Sequence, residues 1–450
     1  MDHRQKHLII PVETAARELD AKLLLSLHAA QRGIAVTIGV KALVNLSIHR
    51  LSPGVFLPPN FHRSSDVMIK IAGNLGHVVA AWDEEGMVWL NEPSYRERRA
   101  SRAALAGLDA IFLWGAQQAA ALAPALAGLS ADVSLVGNPR ADLLRPELRT
   151  PYQARAAALK AEHGDFILIN SNFGWVNHLL GHGQGGDGSR DLEAIARKSK
   201  FPAAYLAHRL ALYEEMTAVL PAIARRFPNR RIVVRPHPDE NDRRWREASA
   251  GLPNVIVRYD SDLLPWLLAA GHIVQNGCTT AIEAAMLDRV AISYRPIVAP
   301  DHEIPQPTQV SLDARTPDAL LEMLAQADLT DSFPADKRAA LETMVASIDG
   351  RRSSERVIDT IEALLAAGRP APSPWRRVIG HGQALRRRIS QKRRAGVPGS
   401  SASPAYFSHK FPPIETSEIE RRLAAFGEAL AMKPPSVRRI SDRIFRLTPT

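Results

Sequence analysis

The strongest constraint on this chain is a repeated alternation of short apolar runs with helix-like stretches. In the first 150 residues, runs such as HLIIPVE (7–13) and IAVTIG (34–39) are separated by helix-like segments. The alternation returns between residues 166 and 294, where RIVVRPHP (231–238) is the most sharply bounded run. Strands that alternate with helices form βαβ units, and such units build parallel sheets. The sequence therefore predicts an α/β fold with two doubly wound, Rossmann-like domains.

A segment rich in proline and arginine, GNPRADLLRPELRTPYQ (137–153), interrupts the pattern and indicates where the chain passes from one domain to the next. We predict an N-terminal domain over residues 1–150 and a second domain over residues 151–370. The amino-acid composition changes again after that point, where Pro/Gly/Ser-rich stretches flank the basic run ALRRRISQKRR. We therefore predict a basic linker and tail with one short helix over residues 371–450.

The net charge of +10 is concentrated in that tail. Residues 371–450 hold 16 Lys/Arg against 5 Asp/Glu, which leaves a net charge of −1 on the first 370 residues. This distribution argues against nucleic-acid binding by the folded body. It favours a basic appendage that contacts an anionic membrane surface weakly, or else an anionic substrate or the body itself.

Three observations bear on location. No apolar run approaches the roughly 20 residues that span a bilayer, and the N-terminus lacks the apolar region of a signal peptide. The single cysteine, Cys278, excludes an intramolecular disulfide. We expect a cytoplasmic protein that is peripheral at the inner face of the membrane through its tail.

Two prolines fix a histidine at the end of the run RIVVRPHP. Pro236 and Pro238 forbid continuation of the strand, so His237 is held in a rigid, extended turn. Arg235 and His237 suit contact with a phosphate, with His237 protonating a leaving oxygen or holding its charge. A purely structural histidine remains an equal alternative.

Three adjacent carboxylates, Asp83, Glu84 and Glu85, end the strand-like run HVVAAWD and precede Gly86. Because like charges repel, we expect at least one of them to have a raised pKa, as a general base for a hydroxyl group requires. The alternative is an acidic turn in contact with solvent.

The segment HIVQNGCTTAIEAAM (272–286) joins a strand to a helix. Thr279 and Thr280 after Gly277 predict a helix N-terminus with free backbone N–H groups, which is an anion site. Glu283 is expected to form a capping box with Thr280, and it could also bind a ribose hydroxyl. A weaker candidate is INSNFGW (169–175), whose Ser171 and Asn172 lie at a strand end and could contact a donor phosphate.

Several familiar motifs are absent. The sequence has no P-loop, no dinucleotide-binding glycine motif, no H-E-x-x-H, no C-x-x-C and no isolated D-x-D clamp. This argues against kinase-like ATPase, dehydrogenase and zinc chemistry. We expect a metal-independent transfer that uses no cofactor and relies on histidine, arginine and helix dipoles.

Taken together, RPHP and QNGCTTAIEAAMLDRVAISY resemble the nucleotide-sugar half of a GT-B glycosyltransferase. With DEEG in the first half, the chain resembles bacterial sialyl- and Kdo-transferases, whose acidic-acidic-Gly and His-Pro motifs face each other across a cleft. The stretches PVETAARELDAKLLLSL, WDEEG, GNPRADLL, RPHPDE and SHKFPP resemble bacterial surface-carbohydrate (LPS or capsule) biosynthesis proteins. The resemblance covers most of residues 7–370 and a piece of the tail.

The resemblance implies a GT-B fold with an acceptor-side domain at 1–150 and a nucleotide-sugar domain at 151–370. It makes Glu84, with Glu85, the general-base candidate, although Asp83 leaves two registers open. His237 becomes a donor-phosphate ligand and acid candidate. The other implied donor-binding residues are Arg235, Pro238, Gly277, Thr279, Thr280, Glu283, Ser171 and Asn172.

The implied reaction moves a sugar, expected from a CMP-linked acidic donor such as CMP-Kdo or CMP-sialic acid, to a surface polysaccharide or lipid-linked glycan. Three alternatives stay open. They are a nucleotide-sugar 2-epimerase, a CDP-polyol phosphotransferase, and a non-catalytic subunit of an envelope glycan assembly complex.

Overall fold

The computed structural model describes residues 6–178, 191–199, 201–258, 262–326, 333–396, 403, 408 and 410–450. Most of the Gly-rich segment 177–191 and His409 of the SHKFPP stretch lie outside the described residues. The chain divides into two compact units. The first unit comprises Met1–Gly86, Tyr95–Pro151 and Met344–Thr450, and the second comprises Met87–Ser94 and Tyr152–Thr343.

The described residues form strands that belong to two sheets. In chain order they are β1 (His7–Val12), β2 (Ala35–Val40), β3 (Val55–Phe56), β4 (Val78–Ala81), β5 (Ala110–Leu113), β6 (Asp132–Leu135), β7 (Ile167–Asn170), β8 (Ile232–Arg235), β9 (Val255–Val257), β10 (His272–Gln275), β11 (Ala291–Tyr294), β12 (Ser311–Ala314), β13 (Ser436–Ser441) and β14 (Ile444–Thr448).

Helices lie between most of these strands. In chain order they are α1 (Ala15–Gln31), α2 (Lys41–Ser47), α3 (Asp66–Leu75), α4 (Glu92–Arg99), α5 (Arg102–Leu105), α6 (Ala116–Leu126), α7 (Pro139–Asp142), α8 (Thr150–His163), α9 (Leu192–Ser199), α10 (Ala203–Ala218), α11 (Leu220–Arg226), α12 (Arg243–Ala248), α13 (Leu264–Ala269), α14 (Thr280–Met286), α15 (Pro305–Gln309), α16 (Pro317–Ala325), α17 (Ala335–Met344), α18 (Ser353–Ala367), α19 (Pro374–Ala395) and α20 (Thr416–Leu430).

The first unit is built on a sheet of strand order β13-β14-β2-β1-β3-β4-β5-β6. Strands β1 to β6 pair in parallel, and β1 and β2 are buried along their whole length. Near-continuous apolar strands are expected where helices cover both faces of a parallel sheet. The DEEG motif follows β4, so its carboxylates lie at the carboxyl edge of this sheet.

The second unit is built on a wholly parallel sheet of order β12-β11-β10-β7-β8-β9. Its first strand, β7, lies between β8 and β10. Strands β8 and β9 follow on one side of β7, and strands β10, β11 and β12 follow on the other. The strand order thus reverses between β7 and β10, which is where doubly wound sheets bind ligands. The predicted α/β fold with two Rossmann-like domains is confirmed.

The C-terminal segment differs from the prediction. Residues 344–450 belong to the first unit, so the second unit does not extend to residue 370. The segment over 371–450, predicted to be a linker and tail, contains the long helix α19, the helix α20 and the hairpin β13–β14. Strand β14 pairs antiparallel with β2 and extends the first sheet. Charge and linker composition alone concealed this folded segment.

Two features hold the returning segment against the first unit. Strand β14 can approach β2 closely because residue 39 is glycine, where a Cβ atom would lie 2.3 Å from the Arg443 carbonyl oxygen. The buried carboxylate of Asp142 accepts the backbone N–H groups of Ser353 and Ser354 at the start of α18, both at 2.8 Å. Burial raises the pKa of Asp142 to about 6, although these hydrogen bonds oppose the rise.

Helix α19 packs on α3 through two small residues, Gly380 and Ala384, which are buried. A Cβ atom at position 380 would lie 3.1 Å from atoms of Asn74 and Leu75, whereas one at position 382 would meet nothing within 4 Å. The Asn74 amide also donates to Gln383 at 3.2 Å. One face of α19 is therefore fixed to the body of the first unit.

Because α19 is docked this tightly, Gly380→Ala should be less stable than Gly382→Ala by about 1–3 kcal/mol, the usual range for overpacking. Both substitutions change helix propensity equally, so the difference reports packing against α3. Urea unfolding of the two variants measures it. Equal stabilities would show that α19 does not pack on α3 in solution.

Candidate functional site

The register of the second sheet places three polar strand ends side by side. Asn170 of β7 is paired with Arg235 of β8 on one side and with Gln275 of β10 on the other. The Arg235 guanidinium donates to Asn170 Oδ1 at 3.3 Å and lies over the Trp266 ring at 5.7 Å. The loops that follow these three strands thus meet at the carboxyl edge, where the strand order reverses.

Two of these loops are joined directly. The Asn172 amide after β7 donates to the carbonyl oxygen of Gly277 after β10 at 3.0 Å. Gly277 has a φ of 59°, in the left-handed region that favours glycine. A Cβ atom at this position would also lie 3.3 Å from Nη1 of Arg209. The backbone conformation therefore favours glycine here, and a side chain would also crowd Arg209.

Arg209, on α10, is a functional candidate that the sequence analysis missed. Its guanidinium donates to Asn276 Oδ1 and to the Asn172 carbonyl oxygen, the latter at 2.6 Å, and lies 4.4 Å above the Phe173 ring. Arg209 is only 5% exposed, and burial lowers the pKa of its guanidinium.

No ion pair balances the charge of Arg209 among the residues that the structure describes. Burying a cation without a paired anion is unfavourable unless hydrogen bonds or a ligand compensate. A planar guanidinium held by side-chain and carbonyl oxygens at a switch point is suited to bidentate contact with a phosphate. The arrangement can therefore bind an anion.

Glu240 ties the loops after β7 and β8 together and was also missed as a site residue. Its buried carboxylate accepts the hydroxyl of Ser171 at 2.7 Å and the backbone N–H of Phe173 at 2.7 Å. It also accepts the indole N–H of Trp245 at 3.2 Å and the backbone N–H of His237 at 3.3 Å. Its place at the end of RPHPDE was the signal that could have identified it.

The ring of His237 is held in one orientation by its own turn. The backbone N–H of Asp239 donates to His237 Nδ1 at 3.2 Å, so Nδ1 is an acceptor and the proton of the neutral ring lies on Nε2. The side chain is 37% exposed. A Cβ atom at Gly174 would lie 3.7 Å from His237 Nδ1, which places the loop after β7 beside the ring.

Other predicted donor-binding residues contact protein groups at the ends of the strands. The Ser171 hydroxyl bonds to Glu240 and the Asn172 side chain bonds to Gly277, as described above. Arg235 is 8% exposed and is packed under the strand ends, whereas Pro238 is half-buried beside His237. Of these residues, Ser171, Asn172 and Arg235 hold the loops in place.

The start of α14 differs from the prediction. Its N-cap is Thr279, and no side chain caps the helix, so the capping box of Thr280 with Glu283 is wrong. The Thr280 hydroxyl lies 3.1 Å from Cys278 Sγ instead. Backbone N–H groups of Ile282 and Glu283 donate to the Thr279 carbonyl oxygen at 2.9 and 3.0 Å, so they are not free for an anion.

The DEEG carboxylates are anchored by cations in the first unit. Asp83 is fully buried and accepts two hydrogen bonds from Arg99, at 2.7 and 3.0 Å, and one from the Tyr95 hydroxyl at 3.1 Å. Burial opposes ionisation, but Arg99 and His62 hold the pKa of Asp83 well below its usual range. Asp83 is therefore a structural carboxylate.

Glu85 lies between two arginines, Arg17 at 2.8 Å and Arg99 at 2.7 Å. The Glu85 side chain is 46% exposed. Its partial burial opposes ionisation, but the two arginines hold the pKa of Glu85 well below its usual range. The expectation that mutual repulsion raises a pKa is therefore wrong for Asp83 and Glu85, because neighbouring arginines neutralise the motif.

Glu84 has a different environment and is only 4% exposed. Its Oε1 accepts from Lys22 at 2.9 Å and from the Trp82 indole at 2.7 Å. Its Oε2 is buried and has no hydrogen-bond partner within the described part of the chain. The solvated-turn alternative is wrong for Asp83 and Glu84, since both are buried.

Lys22 is shared between two carboxylates. It contacts Glu18 at 2.7 Å as well as Glu84, and it donates to the Pro11 carbonyl oxygen at 2.9 Å. Burial lowers the pKa of Lys22, but the two glutamates outweigh it and raise the pKa. Glu18 and Lys22 lie in the PVETAARELDAKLLLSL stretch, one turn apart on α1, which was the signal that could have identified them.

The glycine of DEEG is required by close packing. A Cβ atom at Gly86 would lie 2.1 Å from Gln118 Nε2 and 2.9 Å from Trp114 Cδ1. The Trp114 indole donates to the Asp83 carbonyl oxygen at 2.7 Å, which fixes the turn against β5. Arg140, from GNPRADLL, donates to the Glu84 carbonyl oxygen at 3.0 Å.

Metal-binding clusters and membrane-spanning helices are both absent from the described residues. No group of three or more His, Cys, Asp or Glu side chains there is arranged to hold a metal ion. No helix in this part of the chain is long and apolar enough to span a membrane.

The Glu240 network predicts a specific stability effect. Glu240→Gln places an amide against several donors, and we expect it to lower the free energy of unfolding of the second unit by about 1–3 kcal/mol. Glu247→Gln, at an exposed position on α12, should change it by less than about 0.5 kcal/mol. Urea unfolding compares them, and matching losses would refute the anchoring role of Glu240.

Comparison with known proteins supports the fold. No protein-family model and no curated protein matches the sequence. Among solved structures, a variant of the wall teichoic acid polymerase TagF soaked with CDPG is similar, with a TM-score of 0.51 and 10% identity over 80% of this chain and 88% of that one.

Two further structures are similar over almost their whole length. UDP-GlcNAc 2-epimerase from Neisseria meningitidis, bound to UDP-GlcNAc, has a TM-score of 0.50 and 12% identity over 80% of this chain and 99% of that one. The MnaA–UDP structure from S. aureus has a TM-score of 0.50 and 12% identity over 81% and 99%. At these identities the likeness is one of fold, and the chain has a GT-B-type fold of two parallel-sheet, Rossmann-like domains.

Proposed function

We propose that this chain is a glycosyltransferase that binds a nucleotide-sugar donor on its second unit. One observation carries the proposal. The buried guanidinium of Arg209 lies beside Asn172 and Gly277 where the strand order reverses, and no described residue balances its charge by an ion pair. A phosphate of the donor supplies the missing anion.

Donor binding uses groups that are already oriented. Asn276 and the Asn172 carbonyl oxygen hold the plane of the Arg209 guanidinium, so little side-chain entropy is lost when a phosphate binds. Gly277 leaves room for a ligand atom where any side chain would meet Arg209. Thr279, Thr280 and Glu283 remain our candidates for contacts to the rest of the nucleotide.

His237 is our candidate for the leaving group. Cleavage of the glycosidic bond leaves negative charge on the nucleotide phosphate, and stabilising that charge lowers the barrier. The Asp239 N–H keeps Nδ1 as an acceptor, so Nε2–H is the atom that donates a hydrogen bond or a proton. Glu240 and Pro238 fix the turn that carries the ring.

Glu84 is our candidate for the carboxylate that accepts the proton of the acceptor hydroxyl. Asp83 and Glu85 are each held by arginines, which makes them weak bases. Glu84 alone among the three has an oxygen without a hydrogen-bond partner in the described chain, and Lys22 fixes the other oxygen. This contrast supports Glu84 as the base among the carboxylates of the DEEG motif.

The finer parts of the proposal rest on the resemblance of the sequence motifs. They are a CMP-linked acidic sugar such as Kdo or sialic acid as donor, and a surface polysaccharide (capsule or LPS) or lipid-linked glycan as acceptor. They also include a metal-independent mechanism without a cofactor, and a cytoplasmic location that is peripheral at the inner face of the membrane.

A second candidate is nucleotide-sugar 2-epimerisation or polyol-phosphate transfer. The similar folds of UDP-GlcNAc 2-epimerase and of TagF soaked with CDPG support it. Calorimetric titration with CMP, CDP and UDP separates the donors. Preference for CMP supports sugar transfer from a CMP donor, and preference for UDP or CDP supports the second candidate.

If Arg209 binds the donor phosphate, Arg209→Gln should weaken nucleotide binding by about 10- to 100-fold, as expected for loss of a charge-assisted hydrogen-bonding pair. Arg225→Gln, at an exposed position on α11, is the matched control and should leave affinity unchanged. Calorimetry with the best of the three nucleotides measures both, and circular dichroism checks that the variants are folded. Equal affinities would contradict the phosphate role, and no binding of any nucleotide would overturn the proposed function.

If Glu84 is the base, Glu84→Gln should reduce transfer by about 10²- to 10⁴-fold and leave nucleotide affinity unchanged. Glu85→Gln, which removes a carboxylate already paired with two arginines, should reduce it far less. Surface-glycan production by cells that carry each allele measures transfer, and calorimetry measures binding. A larger loss in the Glu85 variant would reverse the assignment.

A further inference from the structure

Helix α19 has a second face that the first unit does not cover. Gly380 and Ala384 pack on α3, and the Arg376 side chain donates to Asn74 Oδ1 at 3.3 Å. Helical spacing puts positions 375, 378, 382, 385 and 389 on the opposite side, since these positions follow steps of three and four residues.

That opposite side is apolar and exposed. Trp375 is 71% exposed, Val378 60%, Leu385 58% and Ile389 46%, and Ile379 at its edge is 37% exposed. These five are nearly half of the eleven exposed large hydrophobic residues among the described residues. Scattered exposed hydrophobics need no explanation, but a continuous stripe indicates an interaction surface. We call it the α19 outer face.

Basic side chains border the outer face. Helix α19 contains eight Lys/Arg and no Asp/Glu in its 22 residues. Within the described part of the chain, none of these eight side chains forms an ion pair. Arg386, Arg393 and Arg394 line one pocket together with Ile389 and Ser390, so three arginines lie beside an apolar residue of the stripe.

We propose that the α19 outer face binds the surface of an anionic lipid bilayer. Apolar side chains with tryptophan at one end enter the boundary between headgroups and acyl chains, and bordering arginines bind lipid phosphates. The charge favours this occupant over a second copy of the chain, because two such helices would repel each other. The number of basic residues does not by itself create this surface. The docking of Gly380 on α3 does, because it directs the apolar stripe outward.

This inference rests on the peripheral membrane location within the proposed function, but membrane binding of this kind is independent of the proposed reaction. The outer face lies wholly on α19 of the first unit, whereas Arg209 and His237 belong to the second. Loss of membrane binding should leave nucleotide affinity unchanged, and loss of nucleotide binding should leave membrane binding unchanged.

Vesicle sedimentation of the full chain tests the proposal. We expect binding to phosphatidylcholine vesicles that contain 30% phosphatidylglycerol, and binding at least tenfold weaker to pure phosphatidylcholine or in 0.5 M salt. Trp375→Ser with Leu385→Ser, and separately Arg386→Glu with Arg393→Glu, should each weaken binding at least tenfold.

The matched control removes two exposed hydrophobics elsewhere on the first unit. Val133→Ser with Leu135→Ser, on β6, should leave vesicle binding unchanged. Absence of binding by the unaltered chain, or equal losses in the control and in the α19 variants, would overturn the proposal. The proposal would also be overturned if the unaltered chain self-associated without binding vesicles and the α19 variants lost this self-association. The outer face would then be a protein interface.

Discussion

A buried positive charge at the carboxyl edge of the second sheet is the constraint on which the proposed site depends. The Arg209 guanidinium is buried. In the described chain it contacts carbonyl and amide oxygens, and no carboxylate lies within ion-pair distance of it. Burying such a charge without a paired anion is unfavourable unless hydrogen bonds or a ligand compensate for it. Its position beside Gly277, where the strand order reverses, makes an anionic ligand the simplest compensation.

In the first unit the buried charged groups are paired with each other, in contrast to Arg209. Around the DEEG motif, arginines and Lys22 pair with the carboxylates, so the buried Asp83 and Glu84 and the exposed Glu85 coexist in one turn. Within this cluster only Glu84 keeps an oxygen without a partner among the described residues. Among the described residues, one unit thus has a buried cation without an ion-pair partner, and the other has a buried carboxylate oxygen without a hydrogen-bond partner.

Sequence patterns predicted the features that depend on local order. The apolar runs identified strands such as β8 and β10, and the prolines beside His237 identified a rigid strand end. Arg209 could not be found in this way, because a single arginine on a helix such as α10 has no local signature. Glu240 was overlooked because its partners lie both before and after it in the chain, and only the register of β7 with β8 brings them together.

Local sequence patterns also failed to predict the fold of the C-terminal segment. Its composition is that of a basic linker, yet β14 pairs with β2 because Gly39 permits the approach, and Gly380 docks α19 on α3. These contacts join residues more than 300 positions apart, so no local pattern could predict them. Once α19 is docked, the orientation of its apolar stripe follows from helical geometry alone.

The most direct test of the central claim is a crystal structure of the full chain with CMP or CDP bound. The nucleotide is predicted to lie at the carboxyl edge of the second sheet, with a phosphate oxygen in hydrogen-bonding distance of the Arg209 guanidinium and another near His237 Nε2. A nucleotide bound elsewhere, with Arg209 contacting only protein atoms, would contradict the claim.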